Sequence, residues 1–401
     1  MLSRLASACA GILFCYGAYW SLRTGYSEYL AQDHSQLAIE SAIRWRPDNP
    51  EYFSHLAIAD PASAASAIRR AVELNPRDAG IWIEYSRIAE ERSNFDQAEA
   101  CLLEAVRLDR TFAPRWLLSE FYFRRRDTEH FWPAMKAALA TSYDDVTPLF
   151  ESCWALTSDG AVVSQAMPDR ADVLRQYLDF LVRDRNHLDL AMATAERLNR
   201  KPDPENTPSL LRFCDRLLEE RKGLEAQAIW NWLATHGMVP YPALDRKPEQ
   251  ALTNGTFRRP FLEHGFDWRM PAVEGVLASP AGADSFLRLT FSGNQPESCE
   301  ILSQWVSLAA GRKYRLALQY ETSGLEGETG INWRLLDGDG TNLLAESGGV
   351  PPSEGTERTL QFLAGPRTHI ARLTLDYTRA LGTTRISGSI SLRRMSLESA
   401  E

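Results

Sequence analysis

The feature that most constrains this chain is a repeated distance. Trp82 and Trp116 stand 34 residues apart, and the same 34 separates Ala71 from Ala105, Val72 from Val106 and Leu74 from Leu108. Self-similarity at that period predicts a helix–turn–helix unit that cannot bury its apolar face alone and closes it by stacking on its neighbours. Asn75-Pro76 marks the break before the unit, because proline cannot continue the preceding helix. The following unit is less regular: Ser119 stands where Tyr85 stood, and Arg110 replaces the proline.

Helical patterning extends from about residue 30 to 236 on both sides of this pair. Upstream, Ala38-Ile39 and Ala42-Ile43 precede Pro47 and Pro50, and Tyr52 opens a short helix before Asp60-Pro61, which reads as a shortened repeat. Downstream, helices near Val173–Val182 and Leu188–Leu198 are followed by another pair near Leu210–Leu218 and Leu224–Leu233, again at a spacing of about 35. Residues Tyr143 to Asp169 fit no repeat and read as helix with a loop. Trp82, Tyr85 and Ala89 on a first helix, with Phe95, Ala98, Ala105 and Leu108 on a second, resemble the tetratricopeptide repeat family. The resemblance implies an α-solenoid over residues 25–240 whose concave face holds a protein partner. The basic run Arg124-Arg125-Arg126 is either a dock for an acidic partner or a solvated helix end, since cations favour helix C-termini.

After Pro240-Tyr241-Pro242 the period changes from helical to alternating. Leu287, Leu289 and Phe291 share one face, as do Tyr314, Leu316, Leu318 and Tyr320, and then Leu373, Leu375 and Tyr377. This alternation predicts half-buried strands of an antiparallel β-sandwich over 241–401, and the proline-rich bridge predicts that residues 245–401 fold by themselves. A slip from Ile390 and Leu392 to Met395 and Leu397 predicts a β-bulge at Arg393-Arg394. Asp337-Gly338-Asp339-Gly340 lacks the later acidic ligands of an EF-hand and reads as a hairpin turn.

Leu252-Thr253-Asn254-Gly255-Thr256-Phe257, Gly265-Phe266-Asp267-Trp268 and Gln304-Trp305-Val306-Ser307-Leu308 resemble the carbohydrate-binding-module jelly rolls of the galactose-binding-like type. That resemblance implies a jelly roll with polysaccharide as its ligand. Arg393-Arg394 stands where such modules often carry acidic or amide residues beside a structural calcium, so no metal is expected here. Aromatic faces stack on the apolar side of a sugar ring. If Val306 and Leu308 point inward, Trp305 points outward and is a candidate platform; Trp268 and Trp333 are the other candidates, with ordinary core as the alternative for each.

At the other end, Leu5–Leu22 is free of charge and ends in Tyr16, Tyr19 and Trp20, rings that prefer a membrane interface. No small-residue cleavage site follows, so residues 1–24 read as an uncleaved signal anchor rather than a signal peptide, and neither Cys9 nor Cys15 has the surroundings of a lipidation site. Arg4 ahead of the segment and Arg23 behind it orient the remainder outside the cytoplasm, in a bacterial periplasm if the family resemblances hold.

The expected architecture is therefore a multidomain α + β chain: a single-pass transmembrane helix (1–24), a helical solenoid (25–240) and a β-sandwich (241–401). A net charge of −9 argues against nucleic acid as a partner, because phosphate binding needs a basic face. Six cysteines without close spacing give no zinc or redox motif, and Cys101, Cys153, Cys214 and Cys299 read as small buried residues. No phosphate-loop, metalloprotease, nucleophile-elbow or dinucleotide motif occurs, so neither enzyme activity nor a cofactor is expected. Two functions fit: a membrane-anchored scaffold engaging protein and glycan, as in exopolysaccharide or envelope assembly, or a pure protein adaptor of a secretion or sorting system.

Overall fold

The computed structural model describes residues 2–183, 187–244, 252–281, 286–325, 327–338 and 340–400; the side chains of residues 2–9, 280, 281, 354 and 356 lie outside the described set. Fourteen α-helices are followed by nine strands among the described residues. The chain divides into two compact units, Met1–Val173 and Leu174–Glu401.

The first unit is helical. After α1 (Leu2–Ala31) come α2 (Gln36–Trp45), α3 (Pro50–Ala59), α4 (Ala64–Leu74), α5 (Ala79–Glu91), α6 (Phe95–Leu108), α7 (Phe112–Arg125), α8 (Thr128–Thr141), α9 (Thr147–Leu156) and α10 (Gly160–Ala166). Polar N-caps set many of the starts: Ser35, Asn49, Asp78, Asn94, Asp127 and Asp159 each accept a hydrogen bond from a backbone N–H of the first turn. Successive helices pair as the hairpins α3–α4, α5–α6 and α7–α8. Ala71, Ala98 and Ala105 have no exposed surface, because only a methyl group fits where the helices approach. The 34-residue period reappears as an ion pair, in which the Arg124 guanidinium of α7 donates two 2.8 Å hydrogen bonds to Glu90 of α5.

The expected segment Leu5–Leu22 is part of this first, longer helix. Its end packs on the fold: Ala31 joins Ile39, Ala42 and Tyr52 in one cluster, and the Tyr52 hydroxyl bonds Ser27 and Glu28 at 3.0 and 2.8 Å. The stretch before it does not, with Ile12, Leu13 and Phe14 all at least 69% exposed. Among the described residues no helix is long and apolar enough to cross a membrane; the side chains of Leu5–Cys9 lie outside that set.

The second unit contains most of α11 (Ala171–Arg183), then α12 (Leu188–Asn199), α13 (Thr207–Glu219), α14 (Gly223–Thr235) and the strands. These are β1 (Val276–Ala281), β2 (Phe286–Ser292), β3 (Ser298–Ser307), β4 (Lys313–Ser323), β5 (Ile331–Asp337), β6 (Leu343–Glu346), β7 (Glu354–Leu363), β8 (Ile370–Thr378) and β9 (Ser387–Ala400). They form a five-stranded sheet, β1-β2-β9-β4-β7, and a four-stranded sheet, β3-β8-β5-β6, all pairings antiparallel. The alternating apolar residues of both sheets, including Leu289, Leu316, Leu335 and Leu375, meet in one sandwich core. The bulge expected in the last strand is present: Gln319 pairs with Arg394 and Tyr320 with Leu392, so the register shifts by one residue at Arg393.

The proline-rich bridge marks the change from helix to strand, but the compact unit reaches across it. Asp215 of α13 accepts hydrogen bonds from Nδ1 of His264 (2.5 Å), the amide of Gly265 (2.6 Å) and the guanidinium of Arg269 (2.6 Å). Trp230 of α14 is fully buried, stacked on Tyr241 and edge-on to Phe266 at ring distances of 5.9 Å. Gly265 has φ +58, and a Cβ there would lie 2.5 Å from the Trp230 ring, so both the backbone and the contact require glycine. The α13–α14 hairpin is thus built into the sandwich rather than hinged beside it.

Candidate functional site

The three tryptophans singled out from the sequence meet different fates. Trp268 and Trp333 are 0% and 1% exposed and pack edge to face at 6.3 Å inside the sandwich. Neither has a face left for a sugar, which corrects the expectation that they serve as platforms; their large apolar area drives them into the core. Trp305 is half-buried on β3, flanked by the buried Gln304 and Val306 and paired across the ladder with Arg372. It does point to the outer side, but that side is crowded. Two residues on, Ser307 donates to Gln227 of α14 (3.0 Å); two residues back, Ser303 forms a backbone bridge with Arg269, which Asp215 holds.

The outer face of the five-stranded sheet offers no open ring at its aromatic residue. Phe286 lies under the guanidinium groups of Arg288 and Arg393, each 5.4 Å from its centroid. Arg393 also donates two 2.7 Å hydrogen bonds to Glu321, which hold its charge in place. Glu321's carboxyl is correspondingly held below the usual range by that guanidinium. No group of His, Cys, Asp and Glu among the described residues could hold a metal ion. In the turn Asp337–Gly340, Asp339 lies outside the described residues, while the Asp337 carboxylate accepts the backbone amides of Thr341 and Asn342 at 3.0 and 3.2 Å.

A cavity of 560 Å³ opens at one end of the four-stranded sheet, lined by the outward residues Asn332, Arg334, Glu346 and Asp376 and by the loops at 327–330 and 349–351. These residues were not singled out from sequence. The signal was present as alternation, since Ile331, Trp333 and Leu335 are buried and the polar residues between them must face the other way. A further cavity of 360 Å³ lies between the bridge and β9, against Arg258, Arg259 and Arg394.

In the helical unit, Trp82 and Tyr85 are half-buried and stacked at 6.4 Å, and Trp116 stacks on the buried Phe112 at 5.2 Å. The basic run is mostly spent internally: Arg124 pairs with Glu90, Arg125 lies 3.8 Å over the Phe95 ring, and Arg126 ends α7 in the left-handed conformation. Cys101, Cys153 and Cys214 are buried, Cys299 is half-buried and Cys15 exposed. Burial pushes the Cys153 thiol up to about 12, which makes it unreactive.

No family model matches the sequence, and no curated protein matches it. Among solved structures, a module described as CBM4 is similar over 37% of this chain and 99% of its own, at 13% identity and a TM-score of 0.30. YrrB, a tetratricopeptide-repeat protein with an unusual peptide-binding site, covers 50% of this chain with 92% of its own, at 13% identity and a TM-score of 0.23. For pilF of Pseudomonas aeruginosa the corresponding values are 55%, 90%, 16% and 0.24. The likeness is to tetratricopeptide-repeat proteins and to carbohydrate-binding modules, and at these identities it concerns fold alone.

Proposed function

We propose that this chain is a membrane-tethered binding scaffold without catalytic activity, whose helical hairpins hold a protein segment and whose sandwich takes a saccharide, with the bulk of the chain outside the cytoplasm as in envelope or exopolysaccharide assembly. The observation that carries the reading is the repeated hairpin of the first unit. Alanines close the spaces between helices, and the Trp82–Tyr85 pair is left half-exposed on α5, an apolar surface suited to a partner. The tether is supported by the exposed side chains of Ile12, Leu13, Phe14, Tyr16, Tyr19 and Leu22. The adaptor reading, without sugar, is favoured by one specific observation: two of the three tryptophans are core and the third is half-buried, two residues from Ser307, which bonds Gln227 of α14.

Fractionation tests the tether. The full chain should sediment with membranes through a high-salt wash and be released by detergent, because apolar burial and not charge holds it. Recovery of the intact chain in the salt wash would remove the tether. A photo-crosslinking residue placed at Trp82 should capture a defined protein in cells, and one placed at exposed Arg69 should not; equal capture at both, or none, would remove the groove assignment.

A further inference from the structure

We infer that the saccharide site of the sandwich is the cavity on the outer face of the four-stranded sheet, built on Asn332, Arg334, Glu346 and Asp376, and that it accepts neutral or amino sugars and rejects acidic ones. This rests on the saccharide reading proposed above. Register places the groups together: Asn332 lies opposite Asp376 across β5 and β8, while Arg334 lies opposite Thr374 on one side and Glu346 on the other.

The Arg334 guanidinium stands between two carboxylates without closing on either. It is 3.8 Å from the Asp376 carboxylate and 3.9 Å from that of Glu346, both too long for a hydrogen bond, and its Nε has no hydrogen-bond partner among the described residues. The side chain as a whole is 42% exposed, so a sugar hydroxyl entering the cavity can accept from the open side of the guanidinium and donate onward to a carboxylate. The surrounding groups are already fixed. Thr374 donates to Asp376 at 2.8 Å, Asn332 donates to Glu346, and Ser347 donates to Asn332 at 2.9 Å. Gly330, with φ +67, brings its loop so close to β8 that a Cβ would lie 2.1 Å from the Thr378 carbonyl oxygen, which sets the rim.

Size and charge define the class of ligand. At 560 Å³ the cavity has the volume of small-molecule sites, about 300–1,000 Å³. Its lining carries the carboxylates of Glu328, Glu346 and Asp376 against the single guanidinium of Arg334, so a uronate or sulfate entering meets net repulsion. Pro351 supplies apolar surface, but among the described residues no aromatic ring belongs to the lining, so recognition falls to hydrogen bonds with hydroxyl or amino groups.

Calorimetric titration of the full chain tests this, with neutral gluco-, manno-, galacto- and xylo-oligosaccharides, glucosamine oligomers and galacturonate oligomers as probes, and a melting curve on every variant. The wild type should bind a neutral or glucosamine oligomer and none of the galacturonates. Arg334→Gln should weaken that binding roughly tenfold or more, the loss expected when hydrogen bonds to a charged group are removed. Glu346→Gln, at the exposed rim, should keep the melting temperature and narrow the gap in affinity between the neutral or glucosamine oligomer and galacturonate; this variant decides the matter if Arg334→Gln does not fold. Sugar binding unchanged in both variants would overturn the site while leaving the saccharide reading intact. Wild-type preference for galacturonate would overturn the charge selection, and binding of no probe by the folded chain would remove both the site and the reading it rests on.

Discussion

The hairpins α5–α6 and α13–α14 begin from the same local recipe and end in different surroundings. Each is two amphipathic helices joined by a short turn, each carries a tryptophan, and each has a cysteine facing its interior. In the first unit Trp82 stays half-buried, its Nε1 donating to the Pro76 carbonyl at the surface. In the second, Trp230 has no exposed surface and is enclosed by Tyr241, Phe266 and Gly265. The difference lies in what covers the hairpin: another hairpin leaves part of its surface open, whereas a sandwich that supplies donors to Asp215 and rings to Trp230 closes it. A helical repeat therefore offers a binding surface only where no other element has taken it.

Three outcomes would break or sharpen this contrast. The largest is expected at Trp230→Ala, which should destabilise the second unit by about 3–5 kcal/mol, as for other buried large-to-small changes. Chemical denaturation measures it, and a loss similar to that of a surface substitution would mean the hairpin is not bound into the sandwich. Trp82→Ala should cost about 1–2 kcal/mol, since only part of the ring leaves water on folding. A cost equal to that of Trp230→Ala would make Trp82 a core residue and deny it to a partner.

The smallest effect concerns pH. Asp267 is fully buried, and burial raises its carboxyl above the ordinary range against the hydrogen bonds from the Leu262 and Trp268 amides and the Tyr241 hydroxyl. With the folded value above the unfolded one, the native state binds more protons, so ionisation costs stability. That cost is absent below the ordinary carboxylate range and complete once pH exceeds the raised folded value. The melting temperature of Asp267→Asn relative to the wild type should accordingly rise with pH through that window. A relative melting temperature that fell with pH would show that hydrogen bonding, not burial, governs the group.

The 34-residue period, the alternation of the C-terminal third and the bulge at Arg393 were legible in the sequence because each is a local pattern. A helix or strand must present its apolar residues at a fixed period, and Ala71, Ala105, Leu289 and Leu375 are all buried as that period requires. The fate of individual rings was not legible in this way. Trp268, Trp305 and Trp333 sit in similar strand or loop patterns, yet two are core and one is half-buried, because burial is decided by which distant segment arrives opposite.

What the sequence alone determined, then, is the order and type of the elements: helical hairpins first and antiparallel strands after. Tertiary structure alone decided that the last hairpin belongs with the strands, since Asp215 meets His264, Gly265 and Arg269 across 49 to 54 residues of chain. It likewise decided that Asn332, Arg334, Glu346 and Asp376 share one cavity. Local periodicity is set by backbone geometry within a few residues, whereas the meeting of a carboxylate with its donors depends on strand register and helix docking, which no short window of sequence contains.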